Sequence, residues 1–237
     1  MKILALDAAT EACSVALAEG GHLIFRHEEL GRGHAERILG MVDELLGEAG
    51  WTLGALDGIA SSIGPGAFTG VRITVAAAQG LAFGADLPVV GVSTLEALAF
   101  DVLADGCDPG TAAPGTRHAL SCLDARMGEV YWALHARAAD GGLLTTCAPA
   151  VGAPASVVVP AGILHLGVGR GFSAHPELQL LPGLCVTPSA SRALPHARAV
   201  AALGAWRFAR GAGVDPADLA PLYVRDNVAL TTAQRGA

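Results

Sequence analysis

The sequence predicts an α/β protein built as two halves of related topology. Three observations carry that prediction. Short apolar runs suited to buried strands alternate with longer segments whose apolar residues recur at helical spacing. A Gly/Pro/Asp-rich break at 105–115 divides the chain. The unit Leu6-Asp7-Ala8, seven residues, Ala16-Leu17 returns with the same spacing as Leu123-Asp124-Ala125, seven residues, Ala133-Leu134. Each copy reads as strand, Asp-led turn, strand. An Ala/Leu-rich chain can also produce such a match by chance. The expected domains are 1–104 and 105–237, with the last long helix free to pack back on the first.

Taken in order, 2–6 and 12–18 are strands joined by the turn Asp7-Ala8-Ala9-Thr10-Glu11. Gly20-Gly21 is the hairpin signal before a third strand at 23–26. Residues 34–49 form an amphipathic helix. Ile38, Met41, Val42, Leu45, Leu46 and Ala49 fall on one face, and Gly50 is placed to end it. Residues 59–63 are a buried strand, broken by Gly64-Pro65-Gly66 because proline fixes one backbone angle and glycine enters conformations other residues avoid.

The helix expected at 69–84 organises the rest. Val71, Ile73, Val75, Ala76, Ala77, Ala78, Leu81, Ala82 and Phe83 go nearly all round it. A helix apolar all round is buried all round. One side then belongs to its own sheet and the other to a partner protein, with Gly70, Thr74, Ala77 and Gly80 small enough for a partner helix to come close. Residues 88–92 are the next strand. Ser93 and Glu96 form a capping box for a helix at 94–103.

In the second half 119–123 and 128–135 are strands. Residues 141–160 read as irregular strand and loop. Residues 163–168 form a strand ending in Gly169-Arg170-Gly171, and 193–211 is the last long helix. Pro216 and Pro221 keep 215–225 extended. The final residues to 237 are expected to fray.

The totals exclude several classes. At 237 residues, 52% hydrophobic and 16% charged, the chain can bury a sizeable core and is not disordered. Mean hydropathy is high at +0.47, yet no apolar stretch reaches the length of a membrane span. Asp7 and Glu11 interrupt what a signal peptide would need to keep apolar, so a cytoplasmic location is expected. Five scattered cysteines contain no C-x-x-C. A net charge of -7 is the wrong sign for a nucleic-acid binder. Any RNA would be held mostly by another subunit.

The chemistry-bearing candidates are few. A strand-end Asp followed by a tight turn is how actin-like ATPases and sugar kinases hold phosphates and metal, normally with a turn glycine so that phosphate can approach the backbone. Here Ala8 and Ala9 occupy that turn. Asp7 and Thr10 are therefore cofactor candidates of the weakest kind, with a plain turn-stabilising role preferred. Gly64 and Gly66 precede a helix N-terminus that favours anions, but the loop has no P-loop lysine, and a sharp strand-to-helix turn explains it as well. Eight histidines contain no H-x-x-x-H pair, so no metal site is expected. Cys13 reads as a buried structural thiol. No G-x-S-x-G occurs, and no catalytic residue is assigned. An actin-fold ATPase or small-molecule kinase remains the alternative, resting on Asp7, Asp124 and the Gly64 loop.

Several stretches together resemble the TsaB family, also called YeaZ. They are Ile3-Leu4-Ala5-Leu6-Asp7, Thr10-Glu11-Ala12-Cys13-Ser14-Val15-Ala16, His34-Ala35-Glu36-Arg37-Ile38-Leu39, Gly64-Pro65-Gly66-Ala67-Phe68-Thr69-Gly70-Val71-Arg72-Ile73 and Leu87-Pro88-Val89-Val90-Gly91-Val92-Ser93-Thr94. Asp124-Ala125-Arg126-Met127-Gly128-Glu129 and Pro221-Leu222-Tyr223-Val224-Arg225 extend the resemblance over nearly the whole chain. It implies an actin-like fold of the sugar-kinase and Hsp70 type (the ASKHA fold), in two domains. It also implies a role in threonylcarbamoyladenosine synthesis at position 37 of tRNAs that read codons beginning with A. There the family supplies a non-enzymatic subunit that binds and activates its paralogue TsaD, joined by the ATPase TsaE. ATP and metal belong to those partners, tRNA is met only through the complex, and in isolation the chain forms a homodimer through the same surface. The first two helices make that surface. His34, Ala35, Ile38, Leu39, Val42, Phe68, Val71, Arg72, Val75, Ala76 and Gln79 are its expected residues. The family often has Ser where Ala67 stands, and hydroxyls near Ala8 and Ala9, which weakens a phosphate role here.

Overall fold

The structure is a computed structural model and describes residues 1–104 and 117–225. Strands β1 (Lys2–Asp7), β2 (Ala12–Glu19) and β3 (His22–Glu29) form an antiparallel meander. β4 (Gly58–Ser62) and β5 (Val89–Val92) add in parallel beyond β1, giving the order β3-β2-β1-β4-β5. The second half repeats this plan. β6 (His118–Arg126), β7 (Glu129–Arg137) and β8 (Leu143–Gly152) meander, and β9 (His165–Val168) and β10 (Leu184–Cys185) add in parallel beyond β6. Its order is β10-β9-β6-β7-β8. The repeated Leu-Asp-Ala unit thus ends equivalent strands, β1 and β6. The hairpin register does not repeat: Asp7 faces Ser14, whereas Asp124 faces Val130 and a bulge separates it from Arg126.

Strand β1 is buried on both faces, and its alternating side chains serve two cores. Leu4 and Leu6 point to helices α1 (His34–Ala49) and α2 (Phe68–Ala85), meeting Ile38, Met41, Leu45, Val75 and Ala78. Ile3 and Ala5 point the other way, to Val200 and Leu203 of α5 (Ala197–Phe208), which follows the one-turn helix α4 (Gly171–Ala174). Gly204 lets α5 lie close, since a Cβ there would run into Ala60. Helix α3 (Thr94–Ala104), although it follows β5 in the chain, covers the second sheet: Leu95 and Leu98 pack with Leu123, Ala133 and Val168. The halves therefore exchange helices, α3 covering the second sheet and α5 the first. The two helices also touch, and are pinned by Arg207 to Glu96 at 2.7 Å and Arg198 to Asp101 at 3.0 Å.

The predicted caps are present. Gly20 and Gly21 take left-handed angles in the hairpin, and Gly50 ends α1 with φ 66°. Ser93 Oγ accepts from the Leu95 amide, while Glu96 accepts from the Ser93 amide at 2.8 Å. Two expectations need correction, and one strand, β10, was not anticipated. Residues 141–160, read as irregular, contain the ten-residue β8, an edge strand whose Pro149 and exposed Thr145 and Thr146 hide its period. β10, with two residues, is too short to leave a pattern. α5 starts at Ala197 rather than 193, because Pro195 precedes it and His196 caps it. In the single chain α2 packs one side on its own sheet and leaves the other open, the arrangement expected of a helix whose second cover lies outside the chain. It buries Gly70, Val71, Thr74, Val75, Ala78 and Ala82, and leaves Arg72, Ala76, Gly80 and Phe83 open. The break at 105–115 and the chain end beyond 225 lie outside the described residues.

Candidate functional site

Asp7 lies at the end of β1 and is fully buried. Its Oδ1 accepts from the Ser62 hydroxyl and, at 3.2 Å, from the Ala9 amide; its Oδ2 has no partner among the described residues. Burial raises its pKa above the usual carboxylate range, with Ser62, Ala9 and nearby His34 pulling the other way. The turn beyond it is capped by the Gly64 loop and α2. The Ala67 amide donates to Ala9 O at 2.7 Å, and Thr74 Oγ1 accepts from the Ala8 amide at 2.9 Å while donating to Gly70 O. A Cβ at Gly66 would overlap the Ala9 carbonyl, and one at Gly70 the Ala8 carbonyl. These two glycines admit the chain's own turn. The space a phosphate would use beside Asp7 is filled, so the residues present do not fit a nucleotide phosphate or its metal there.

The two halves enclose a cleft of about 790 Å³ next to this turn. Thr10, Glu11 and His34 line it from the first half, with Pro65, Gly66, Phe68 and Arg72 of the loop and α2. Asp124, Arg126, Tyr131 and Arg170 line it from the second, and 222–225 of the C-terminal segment complete the wall. Of the cofactor candidates, Thr10 and Gly66 reach the cleft wall, and Asp7 and Gly64 do not. Three of the four arginines lining the cleft are paired with carboxylates, and the fourth, Arg72, has no carboxylate partner among the described residues. Arg126 pairs with Asp124 at 3.0 Å and Glu11 at 3.3 Å, Arg170 with Glu29 at 2.6 Å, and Arg225 with Glu129 at 2.5 Å. Among the described residues no group of three or more His, Cys, Asp or Glu is placed to hold a metal ion. Cys13 is buried as expected, its thiol pushed up to about 12 by burial. Arg170, Tyr131, Tyr223 and Arg225 were not anticipated as cleft residues, although the Gly169-Arg170-Gly171 and Tyr223-Val224-Arg225 stretches stand out in the sequence.

The outward face of α1 and α2 is the third region. Ala35, Leu39, Phe68, Arg72 and Ala76 are exposed, Leu39 to 46% and Phe68 to 56%, and His34 and Gln79 are half-buried. Phe83, 82% exposed, extends the same helix. Ile38, Val42, Val71 and Val75 are between 1% and 4% exposed. These four must be struck from the expected docking residues of the single chain, because Ile38, Val42 and Val75 fill the core between the helices and the first sheet, and Val71 is buried beside Gly64 and lines the cleft. So must Gly70 and Thr74 as a landing for a partner helix, since both face the Ala8–Ala9 turn. Arg72 and Gln79 are partly engaged within the chain. The Arg72 guanidinium lies 3.4 Å over the Phe68 ring and its Nε donates to Tyr223 at 2.8 Å. Gln79 donates to the carbonyls of Pro216 and Leu219 at 3.1 and 3.0 Å.

No helix among the described residues is long and apolar enough to cross a membrane. The family model for TsaD, the tRNA N6-adenosine threonylcarbamoyltransferase, matches residues 26–166. The tRNA threonylcarbamoyladenosine biosynthesis protein TsaB of Escherichia coli K12 is 40% identical over 97% of this chain and 96% of its own length. An uncharacterized protein of Mycobacterium tuberculosis is 33% identical over 94% and 91%. A solved structure of YeaZ from Pseudomonas aeruginosa superposes with a TM-score of 0.83 at 39% identity, covering 94% of this chain and 99% of that one.

Proposed function

Since this chain belongs to the TsaB (YeaZ) family of tRNA threonylcarbamoyladenosine biosynthesis proteins, we propose that it acts there as a non-catalytic subunit, docking on a TsaD homologue through α1 and α2 and activating it. The observation that carries this reading is the outward face of those helices. Leu39, Phe68, Phe83, Ala35 and Ala76 leave apolar surface open on two adjacent helices, and a patch of that kind on a soluble domain marks an interaction site. The sealed Asp7 turn supports a subunit without its own phosphoryl chemistry.

A TsaE-type ATPase joins the pair, tRNA is held mainly by the partners, and the same face pairs two copies when the partner is missing. The test is reconstitution with a TsaD homologue, TsaE and a threonylcarbamoyl donor on unmodified tRNA. Modification should require this chain and be lost with Ala76→Glu or Leu39→Glu, because a carboxylate without a partner in an apolar interface costs about 3 kcal/mol. Full modification without this chain overturns the reading. Calorimetry of the isolated chain with Mg-ATP should show no heat of binding; a clear isotherm would favour an actin-fold ATPase instead.

A further inference from the structure

The segment 214–225 runs along the first half and ends against the second. Val214 and Val89 exchange both backbone hydrogen bonds, at 2.9 and 3.0 Å. Leu219 is buried in the first core, and Gln79 holds the carbonyls on either side of that stretch. The Leu222 amide donates to Ile63 O at 2.7 Å, and the Tyr223 hydroxyl meets Arg72. All these anchors belong to the first half. Arg225 is different. Its Nη2 donates to Glu129 at 2.5 Å and to the Ala125 carbonyl at 3.1 Å, both in the β6–β7 hairpin of the second half. Its guanidinium also lies 5.9 Å from the Tyr131 ring.

We propose that 214–225 is a strap across the cleft and that Arg225 is its buckle, so that one side chain fastens the first half to the cleft wall of the second. A second set of cross-half contacts also spans the cleft: Glu11 with Arg126 and Arg170, and Arg170 with Glu29 at 2.6 Å. It is the more exposed set: the Arg126 side chain is 75% exposed and that of Arg170 32%, against 16% for Arg225. Exposed pairs are screened by salt and contribute little. A guanidinium shared between a carboxylate and a carbonyl is held in one geometry. Pro216 and Pro221 stiffen the strap, so that tension at one end is carried to the other. Loosening the buckle uncovers Val71 and Tyr131, which line the cleft beside it. The buckle belongs to the isolated chain and needs no partner protein.

Hydrogen–deuterium exchange of the whole chain at moderate salt tests it, comparing wild type with Arg225→Ala, Arg225→Lys and Glu129→Gln. Arg225→Ala and Glu129→Gln break the same contact from opposite sides. Both should speed exchange across 126–131 by about tenfold, with Arg225→Lys in between, while the Leu222 amide and α1 keep their protection. Unchanged exchange at 126–131 in both variants overturns the proposal. So does a uniform acceleration along the chain, which would make Arg225 a general stability residue and not a fastening between halves.

Discussion

Asp7 and Asp124 end equivalent strands of equivalent sheets, yet Asp7 is sealed and Asp124 looks into the cleft. The connection after the fourth strand of each half makes the difference. Both connections are Gly-x-Gly: Gly64-Pro65-Gly66 after β4 and Gly169-Arg170-Gly171 after β9. Gly66 lies against Ala9, two residues past Asp7, and the 18-residue α2 then covers the turn. Gly171 lies against Cys122, two residues before Asp124, and opens a helix of only four residues, Gly171–Ala174. The second turn stays uncovered, and Arg126 folds back on Asp124 from its own hairpin. A shared topology supplies a strand-end carboxylate twice. Where the next connection lands decides whether anything else can reach it.

The sharpest way to break this comparison is to prise the first turn open. Gly70→Val or Gly66→Val pushes a side chain into a backbone carbonyl that has no room to move. Overpacking costs about 1–3 kcal/mol where neighbours can yield; here the expected result is at or above that range, up to failure to fold. Gly80→Ala is the control on the same helix, with nothing within 4 Å of its added carbon, and should gain up to about 1 kcal/mol from helix propensity. Urea midpoints of the three variants check this. Equal effects at Gly70 and Gly80 would show that the turn is not closed by contact.

The next effect separates the inner from the outer face of α2. Val75→Glu places a carboxylate at a site 4% exposed and should cost about 3 kcal/mol or more. Ala76→Glu, one residue on and exposed, should change stability by less than about 0.5 kcal/mol. Thermal melts decide between them, and a Val75→Glu protein that melts like wild type would mean the helix is rotated.

These two neighbours also show what was legible beforehand. The buried strands β1, β4 and β5 were legible, because a strand covered on both faces is written as a continuous apolar stretch, and the Leu-Asp-Ala repeat marked the halves as related; the order of the strands in each sheet was not. The inner and outer faces of α2 were not legible. With Ala, Gly and Val on every side, the sequence lacks the polar stripe that marks a solvent face. The one polar residue at the centre of the buried side, Thr74, bonds Ala8, a contact 66 residues away. The cleft was missed for a similar reason. Arg170 and Arg225 gain meaning only when β9 and the C-terminal segment are brought beside the first hairpins.

Two buried groups, one in each half, carry opposite pH signatures. His135 on β7 is fully buried, neither ring nitrogen has a partner among the described residues, and burial lowers its pKa to about 4. Its folded pKa lies below the unfolded value of 6.5, so the unfolded chain takes up the proton first. Stability is intact above about pH 6.5 and falls as pH drops toward 4, by roughly 3 kcal/mol at 1.36 kcal/mol per pKa unit. Asp7 works in the other direction. Its pKa is raised above 3.8, so the folded chain holds the proton longer and stability falls as pH rises through the window between the two values. Denaturation from pH 4 to 8 should show His135→Leu making the acid limb shallower, with remaining slope coming from His27 and His196, whose pKa values burial also lowers. Asp7→Asn, which keeps the acceptor for Ser62 and Ala9, should remove the opposing slope. An acid limb unaltered in His135→Leu would mean that the histidine is hydrated.

The smallest expected effect lies in the open turn. Arg126 and Met127 hold φ of 63° and 56°, ahead of Gly128 at 76°, whereas no residue from Ala8 to Glu11 has a positive φ. The second turn therefore accommodates two side chains in the left-handed region, where a Cβ costs roughly 1–2 kcal/mol. In return Arg126 makes exposed pairs with Asp124 and Glu11, each contributing about 0.2–1 kcal/mol and less at high salt. Arg126→Ala keeps the strain and loses the pairs, so it should be slightly less stable than wild type, with the deficit vanishing at high salt. Arg126→Gly loses the same pairs but relieves the backbone, and should be more stable than Arg126→Ala by about 1 kcal/mol. The ordering of melting temperatures at low and high salt tests both contributions. If Arg126→Gly and Arg126→Ala melt together, the left-handed turn is not strained, and the two hairpins differ only in what covers them.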